Sequence, residues 1–235
     1  MDYERKASFT FRRFAINDRR CGLKIGTDAV ALGAWASCRD ARTAIDVGCG
    51  CGIIALMIAQ RSDALITAIE IDGGAAADAR DNIAASPWSD RIKLVEGDFA
   101  DYRPDGNVDL IVSNPPFFAN GEQSPLASRA CARHEGGLNY ATLIEFAAAH
   151  LSAAGRLAFI YPAGCENDII YKAEMSHLKL RRFCHLRQRS DLAAVRDMYE
   201  FSPTDGAIEY QELTIRSDSG GYTDQFAELT KDFYL

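Results

Sequence analysis

The tetrapeptide Asn114-Pro115-Pro116-Phe117 closes the apolar run Val108-Asp109-Leu110-Ile111-Val112-Ser113. Its two prolines fix φ and remove two backbone donors. Residues that precede proline are driven out of the helical region, so the chain leaving this strand is stiff and extended. The Asn side-chain oxygen and nearby carbonyls are then left as acceptors, with an aromatic ring beside them. That set suits a planar group carrying an exocyclic NH2, such as adenine. Taken alone, the tetrapeptide reads equally well as a turn followed by a core phenylalanine, and the rest of the chain decides.

A second constellation lies upstream. Thr43-Ala44-Ile45-Asp46-Val47 reads as a buried strand that breaks at Gly48-Cys49-Gly50-Cys51-Gly52, and residues 53–60 then read as a helix. Three alternate glycines between strand and helix bring backbone close to a ligand. The dinucleotide pattern GxGxxG would need its third glycine at position 53, where the chain has Ile, and no phosphate-binding Lys follows the loop. Gly48, Gly50 and Gly52, with Asp46 two residues ahead, instead fit the loop of S-adenosylmethionine enzymes. Glu70 ends the next strand, where a carboxylate can accept both ribose hydroxyls, and Ile71 beside it is assigned to the same site. Asp98 and Phe99 follow the third strand, where an acid and a ring can hold adenine.

These residues need a scaffold that brings strand ends together. Apolar runs at Leu65–Glu70, Ile92–Glu96, Val108–Ser113 and residues 157–161 alternate with helical patterns at 75–85 and 140–151. Strand–helix alternation predicts βαβ units and a mostly parallel sheet. Continuous apolar strands predict helices on both faces, and ligands in such sheets sit at the carboxyl ends of the strands. Residues 165–235 read as less regular, with strands around 198–201 and 213–215 and a short helix over 226–234. Residues 1–40 fall outside the alternation and read as an N-terminal arm or cap, leaving 41–235 as the main domain.

Composition narrows the class. The chain has 235 residues, 48% hydrophobic and 25% charged, as expected of a globular protein. No run of 18 apolar residues offers a membrane span, and the N-terminus is not a signal peptide. The seven cysteines are scattered and odd in number, and read as reduced cytosolic thiols. Cys131-Ala132-Arg133-His134 has half of a metal-site spacing but no second half, so no metal is expected. The net charge of −7 argues against bulk nucleic-acid binding, yet residues 1–24 carry seven Lys/Arg against three Asp/Glu, and 177–196 carry six against one. Two local basic segments can still meet phosphates.

Glycine loop, strand-end acids and Asn-Pro-Pro-Phe together resemble the class I S-adenosylmethionine-dependent amino-methyltransferases, in which (Asn/Asp/Ser)-Pro-Pro-(Tyr/Phe/Trp) holds the target nitrogen. Further segments narrow the resemblance: Phe9-Thr10-Phe11, Lys24 to Trp35, Ser86-Pro87-Trp88, Ala132 to Glu135, and Asp232-Phe233-Tyr234-Leu235. They are similar to the tRNA (adenine-N6) methyltransferases that modify adenosine 37 of valine tRNA. The resemblance implies a Rossmann-like α/β fold, S-adenosylmethionine as cofactor, tRNA as partner, and a cytoplasmic monomer or weak homodimer. It makes Asn114, Pro115, Pro116 and Phe117 catalytic. It adds Thr27 and Asp28 to the cofactor set of Asp46, Gly48, Gly50, Gly52, Glu70, Ile71, Asp98, Phe99 and Asn114. Arg12, Arg13, Arg19, Arg20 and Arg133 are candidate RNA contacts. Phe117 stands where Tyr is frequent, which keeps stacking and loses a hydroxyl. The same motif also serves enzymes acting on ribosomal RNA, DNA or a protein glutamine, and a silent cofactor-binding module that docks to RNA shares the loop. A nicotinamide-dependent oxidoreductase is disfavoured by Ile53 and by the Asn-Pro-Pro motif.

Overall fold

The computed structural model describes residues 8–116 and 137–234. A small hairpin, β1 (Phe9–Thr10) with β2 (Ala15–Ile16), leads through an irregular strap into α1 (Thr27–Trp35). The alternating part follows as β3 (Thr43–Val47), α2 (Ile53–Arg61), β4 (Leu65–Glu70), α3 (Gly73–Ala84), β5 (Ile92–Glu96) and β6 (Val108–Ser113). After the glycine-led turn at 137 come α4 (Tyr140–His150), β7 (Leu151–Pro162), α5 (Glu166–Met175), β8 (Lys179–Arg189), β9 (Ala194–Ser202), β10 (Glu209–Arg216) and α6 (Asp224–Thr230).

Eight strands form one sheet in the order β10-β8-β9-β7-β6-β3-β4-β5. Every neighbouring pair is parallel except the two that involve β9, which runs antiparallel to both β7 and β8. A short turn between β8 and β9 makes a hairpin, and hairpins are antiparallel. The sheet is buried on both faces, as its continuous apolar strands predict. Ala44, Ile66, Leu110 and Ala158 pack with α1, α2, α3 and α6 on one side. Ile45, Ile111, Leu157 and Phe159 pack with α4 and α5 on the other. Among the described residues, no helix is long and apolar enough to cross a membrane.

Local signals start the helices. Asp72 caps α3 by accepting from the Ala75 N–H at 2.7 Å. Asn139 and Thr142 form a capping box at α4. The chain order places β3 and β6 side by side, and β4 and β5 beyond β3. The ends of β3, β4, β5 and β6 therefore share one rim.

Two elements escape the sequence reading. Residues 179–189 read as a basic segment, yet they form β8 inside the sheet. Residues 27–35 read as part of an arm, yet Ala29 to Trp35 are buried in α1 against α2 and β7.

Candidate active site

A cavity of about 390 Å³ opens at the carboxyl ends of β3 to β6. The glycine loop forms its floor, and Gly48, Gly50 and Gly52 all adopt positive φ, at 66°, 57° and 85°. At Gly48 the need is also spatial, since a Cβ would stand 2.6 Å from Leu138 Cδ2. Gly52 caps α2 in the left-handed conformation, so the loop turns straight from strand into helix.

The strand-end acids occupy distinct environments. Glu70 is buried on the rim, where Oε2 accepts from the Gly50 N–H at 2.7 Å and Oε1 from the Asp72 N–H at 2.9 Å. Each oxygen keeps a further lone pair for a ligand hydroxyl. Asp98 caps the short turn at 99–101 by accepting from the Ala100 N–H at 2.9 Å, and Asp98 and Phe99 both line the cavity. Ile71, which is 69% exposed, forms an apolar lip over the same opening.

Asp46 does not line the cavity. It lies beneath the loop, 1% exposed, and its Oδ2 accepts from the Ala55 N–H at 2.9 Å while Oδ1 has no partner among the described residues. Burial pushes its pKa up to about 7, the Ala55 N–H opposes that rise, and the charge of Glu70 adds to it. Burial likewise pushes the Cys49 thiol well up and Cys51 to about 12, so both loop thiols stay protonated at neutral pH.

Asn114 leaves β6 at the cavity wall. Ser113 Oγ donates to Val47 O at 2.8 Å, which ties the end of β6 to β3 and fixes the point where Asn114 emerges. Asn114 Oδ1 is buried and has no partner among the described residues, and Asn114 and Pro116 line the cavity. A buried acceptor without a donor costs free energy, and such an atom at a cavity wall is poised for a donor that arrives with a ligand. Phe117 and Arg133 lie outside the described residues.

Other expected residues sit elsewhere. Thr27 begins α1, and Asp28 accepts from Arg196 Nε at 3.0 Å; neither lines the cavity. Arg12 binds the C-terminal segment through Phe233 O and Tyr234 O, and Arg13 lies 5.2 Å from the centre of the Trp88 ring. Arg20 is bound to α3. The wall opposite the glycine loop is the strap from Cys21 through Gly22, Leu23, Lys24 and Ile25 to Gly26, which the sequence reading did not assign to the site. Two glycines flanking an apolar pair just before a helix were its only local signal.

The methyltransferase small domain family matches residues 29–179. Curated relatives align along nearly the whole chain. The tRNA1(Val) (adenine(37)-N6)-methyltransferase of Klebsiella pneumoniae is 38% identical over 97% of this chain and 94% of its own length. That of Shewanella amazonensis is 40% identical over 97% and 98%, and that of Bacteroides thetaiotaomicron 36% identical over 97% and 97%. Among solved structures, a predicted O-methyltransferase from Agrobacterium tumefaciens superposes with a TM-score of 0.62 at 19% identity, covering 87% of this chain and 96% of that one. The ribosomal protein L11 methylase of Lactobacillus delbrueckii gives a TM-score of 0.53 at 21% identity, covering 76% and 79%. These two likenesses carry the fold, and the sequence relatives carry the family. With its glycine loop, strand-end carboxylates and Asn-Pro-Pro wall on one rim, the chain belongs to the methyltransferase small domain family, in the branch of the tRNA1(Val) (adenine(37)-N6)-methyltransferases.

Proposed function

We propose that this protein transfers a methyl group from S-adenosylmethionine to the exocyclic N6 of an adenine in tRNA, at position 37 of the anticodon loop of valine tRNA. The observation that carries the reading is the buried, partnerless Oδ1 of Asn114 on a cavity wall that also holds Glu70 and Asp98. The residues fit the cofactor. Glu70 and Asp98 offer acceptors for ribose and adenine, Ile71 and Phe99 offer apolar cover, and the glycine loop leaves room where a Cβ would intrude. When bound, S-adenosylmethionine supplies a methyl group on a sulfonium centre that leaves by in-line displacement.

The chain's task is positioning, which is worth roughly 7–11 kcal/mol for well-oriented reactants. The N6 lone pair of adenine is delocalised into the ring. Hydrogen bonds from the amino group to Asn114 Oδ1 and the Pro115 carbonyl favour a pyramidal nitrogen and free that pair. The same acceptors stabilise positive charge as it develops, the mirror image of an oxyanion hole. Pro116 keeps the acceptors fixed, and Phe117 stacks on the base. No general base is needed before transfer, because the proton leaves easily afterwards.

An anticodon-loop adenine is already unpaired, so extruding it costs less than flipping from a duplex. Residues 1–40 act as a cap beside the catalytic domain of 41–235, and Thr27 and Asp28 close over the cofactor. Arg12, Arg13, Arg19 and Arg133 meet phosphates, with salt-dependent affinity. The protein works in the cytoplasm as a monomer or weak homodimer. The test is methyl transfer from labelled S-adenosylmethionine to unmodified valine tRNA, with the product nucleoside identified by mass spectrometry. N6-methyladenosine at position 37 is expected. Label in ribosomal RNA, DNA or protein alone would overturn the substrate, and no label despite tight cofactor binding would overturn catalysis.

A further inference from the structure

The cavity wall made by residues 21–26 has no regular secondary structure. Its shape is set by side chains of α3 that the reaction itself does not use. We infer that Asp78, Asn82 and Arg20 are positioning residues that hold this strap and the glycine loop together as one preformed cofactor socket. The inference rests on the cavity being the S-adenosylmethionine site.

Positions 74, 78 and 82 share one face of α3, four residues apart. At Gly74 the strap comes so close that a Cβ would stand 2.7 Å from Arg20 O. One turn on, the fully buried Asp78 takes the Arg20 N–H at 2.6 Å and the Cys21 N–H at 3.0 Å on Oδ2, and Arg20 Nε at 2.7 Å on Oδ1. Arg20 Nη2 adds bonds to Asp81 Oδ2 at 2.5 Å and Ala77 O at 2.9 Å. Another turn on, the buried Asn82 accepts from the Asn17 N–H at 2.8 Å. Its Nδ2 donates to Asn17 O at 2.8 Å and to Cys51 O at 2.9 Å. One amide thus binds the foot of the strap and the glycine loop at once. The strap also closes on itself: Asp18 Oδ2 accepts from the Ile25 N–H at 3.1 Å, and Lys24 Nζ donates to Asp18 O at 2.5 Å and Cys21 O at 3.2 Å.

Asp78, Asn82 and Arg20 do not line the cavity, so they act through the backbone they hold. An irregular segment left free must be ordered when a ligand binds, and that ordering weakens affinity. The network therefore acts on cofactor affinity and leaves the chemical step unchanged. It also takes Arg20 out of the RNA contacts, because its guanidinium is committed to α3.

The test is calorimetric titration of S-adenosylhomocysteine into wild type, Asn82→Ala, Asp78→Asn and Arg20→Ala. In parallel, iodoacetamide labelling of Cys21 in the ligand-free protein is followed by peptide mass spectrometry. We expect Asn82→Ala and Asp78→Asn to raise Kd about tenfold or more, the effect of unmaking a buried hydrogen-bond pair, and Cys21 to label faster in both. At saturating cofactor, kcat should stay within about twofold while the KM for cofactor rises. Arg20→Ala, on a half-exposed side chain that tolerates truncation, should raise the KM for cofactor and leave the KM for tRNA alone. A core variant in α5, Ile169→Ala, should lower thermal stability with cofactor Kd unchanged. The proposal falls if folded variants bind as wild type does, if Ile169→Ala weakens binding equally, or if Arg20→Ala raises only the KM for tRNA. Absence of binding by the wild type would overturn the cofactor reading itself, and this proposal with it.

Discussion

Replacing Asn114 by Ala should separate catalysis from stability. In the ligand-free protein, Asn114 Oδ1 is buried without a partner among the described residues. Such an atom costs about 1–3 kcal/mol relative to a satisfied or absent one, and Asn114→Ala removes that cost together with a little packing. The melting temperature should therefore hold or rise, by up to several degrees, since ~1 kcal/mol moves a domain of this size by about 2–4 °C. Turnover goes the other way. The bond from the adenine amino group strengthens as charge develops on nitrogen, and a preorganised contact of that kind is worth about 2.7–4 kcal/mol, or about 100- to 1,000-fold in kcat. Asn114→Asp keeps an acceptor at the same place and should lose less than Asn114→Ala. The assay is steady-state methylation of valine tRNA transcript, with S-adenosylhomocysteine binding and thermal melting measured on the same preparations. Near-normal turnover by Asn114→Ala would refute the mechanism. A large loss of stability or of cofactor binding would refute the reading of Oδ1 as an acceptor held in reserve for substrate.

Three further outcomes follow from the geometry. The native pKa of Asp46 lies near 7, above its unfolded value, because of burial. Its contribution to stability is complete below about pH 4 and is lost as pH rises through 7. Asp46→Asn should therefore gain stability over wild type between pH 5 and pH 8 in denaturant titrations, and an unchanged difference would show that the carboxylate is ionised throughout. Gly48→Ala forces a side chain into positive φ and against Leu138; it should lose about 1–2 kcal/mol of stability and bind S-adenosylhomocysteine far more weakly in calorimetry. His177 is the one non-glycine residue at positive φ among the described residues, where α5 ends with the Leu178 N–H on Ala173 O at 2.8 Å. His177→Gly should raise stability by roughly 0.5–1 kcal/mol in urea melts, and a loss would mean the imidazole makes a contact of its own.

The legible parts of this protein are those whose cause is local. Val108 to Ser113 reads as a strand because its apolar residues run unbroken, and Asn114 to Pro116 mark its end because proline stops both strand and helix. The same logic exposes Asp46, Gly48 to Gly52, Glu70 and Asp98, each fixed to the end of a strand that the sequence announces. What stays hidden depends on partners far along the chain. In β8, Arg181, Arg182 and Arg187 interrupt the expected alternation. Arg182 belongs there because its guanidinium lies 4.1 Å from the Trp35 ring and 3.0 Å from the buried carboxylate of Glu200. Asp28 resembles a cofactor ligand until Arg196 is seen beside it, 168 residues away. Arg20 resembles a phosphate contact until Asp78 takes its guanidinium from 58 residues away. Groups that meet the ligand must be presented by strand ends, which local pattern reveals. Groups that hold the strap answer to charges and amides on a helix whose position only the folded sheet determines. A variant chosen from the motifs alone would therefore probe the chemistry, while the affinity of the socket rests on Asp78 and Asn82, which no motif marks.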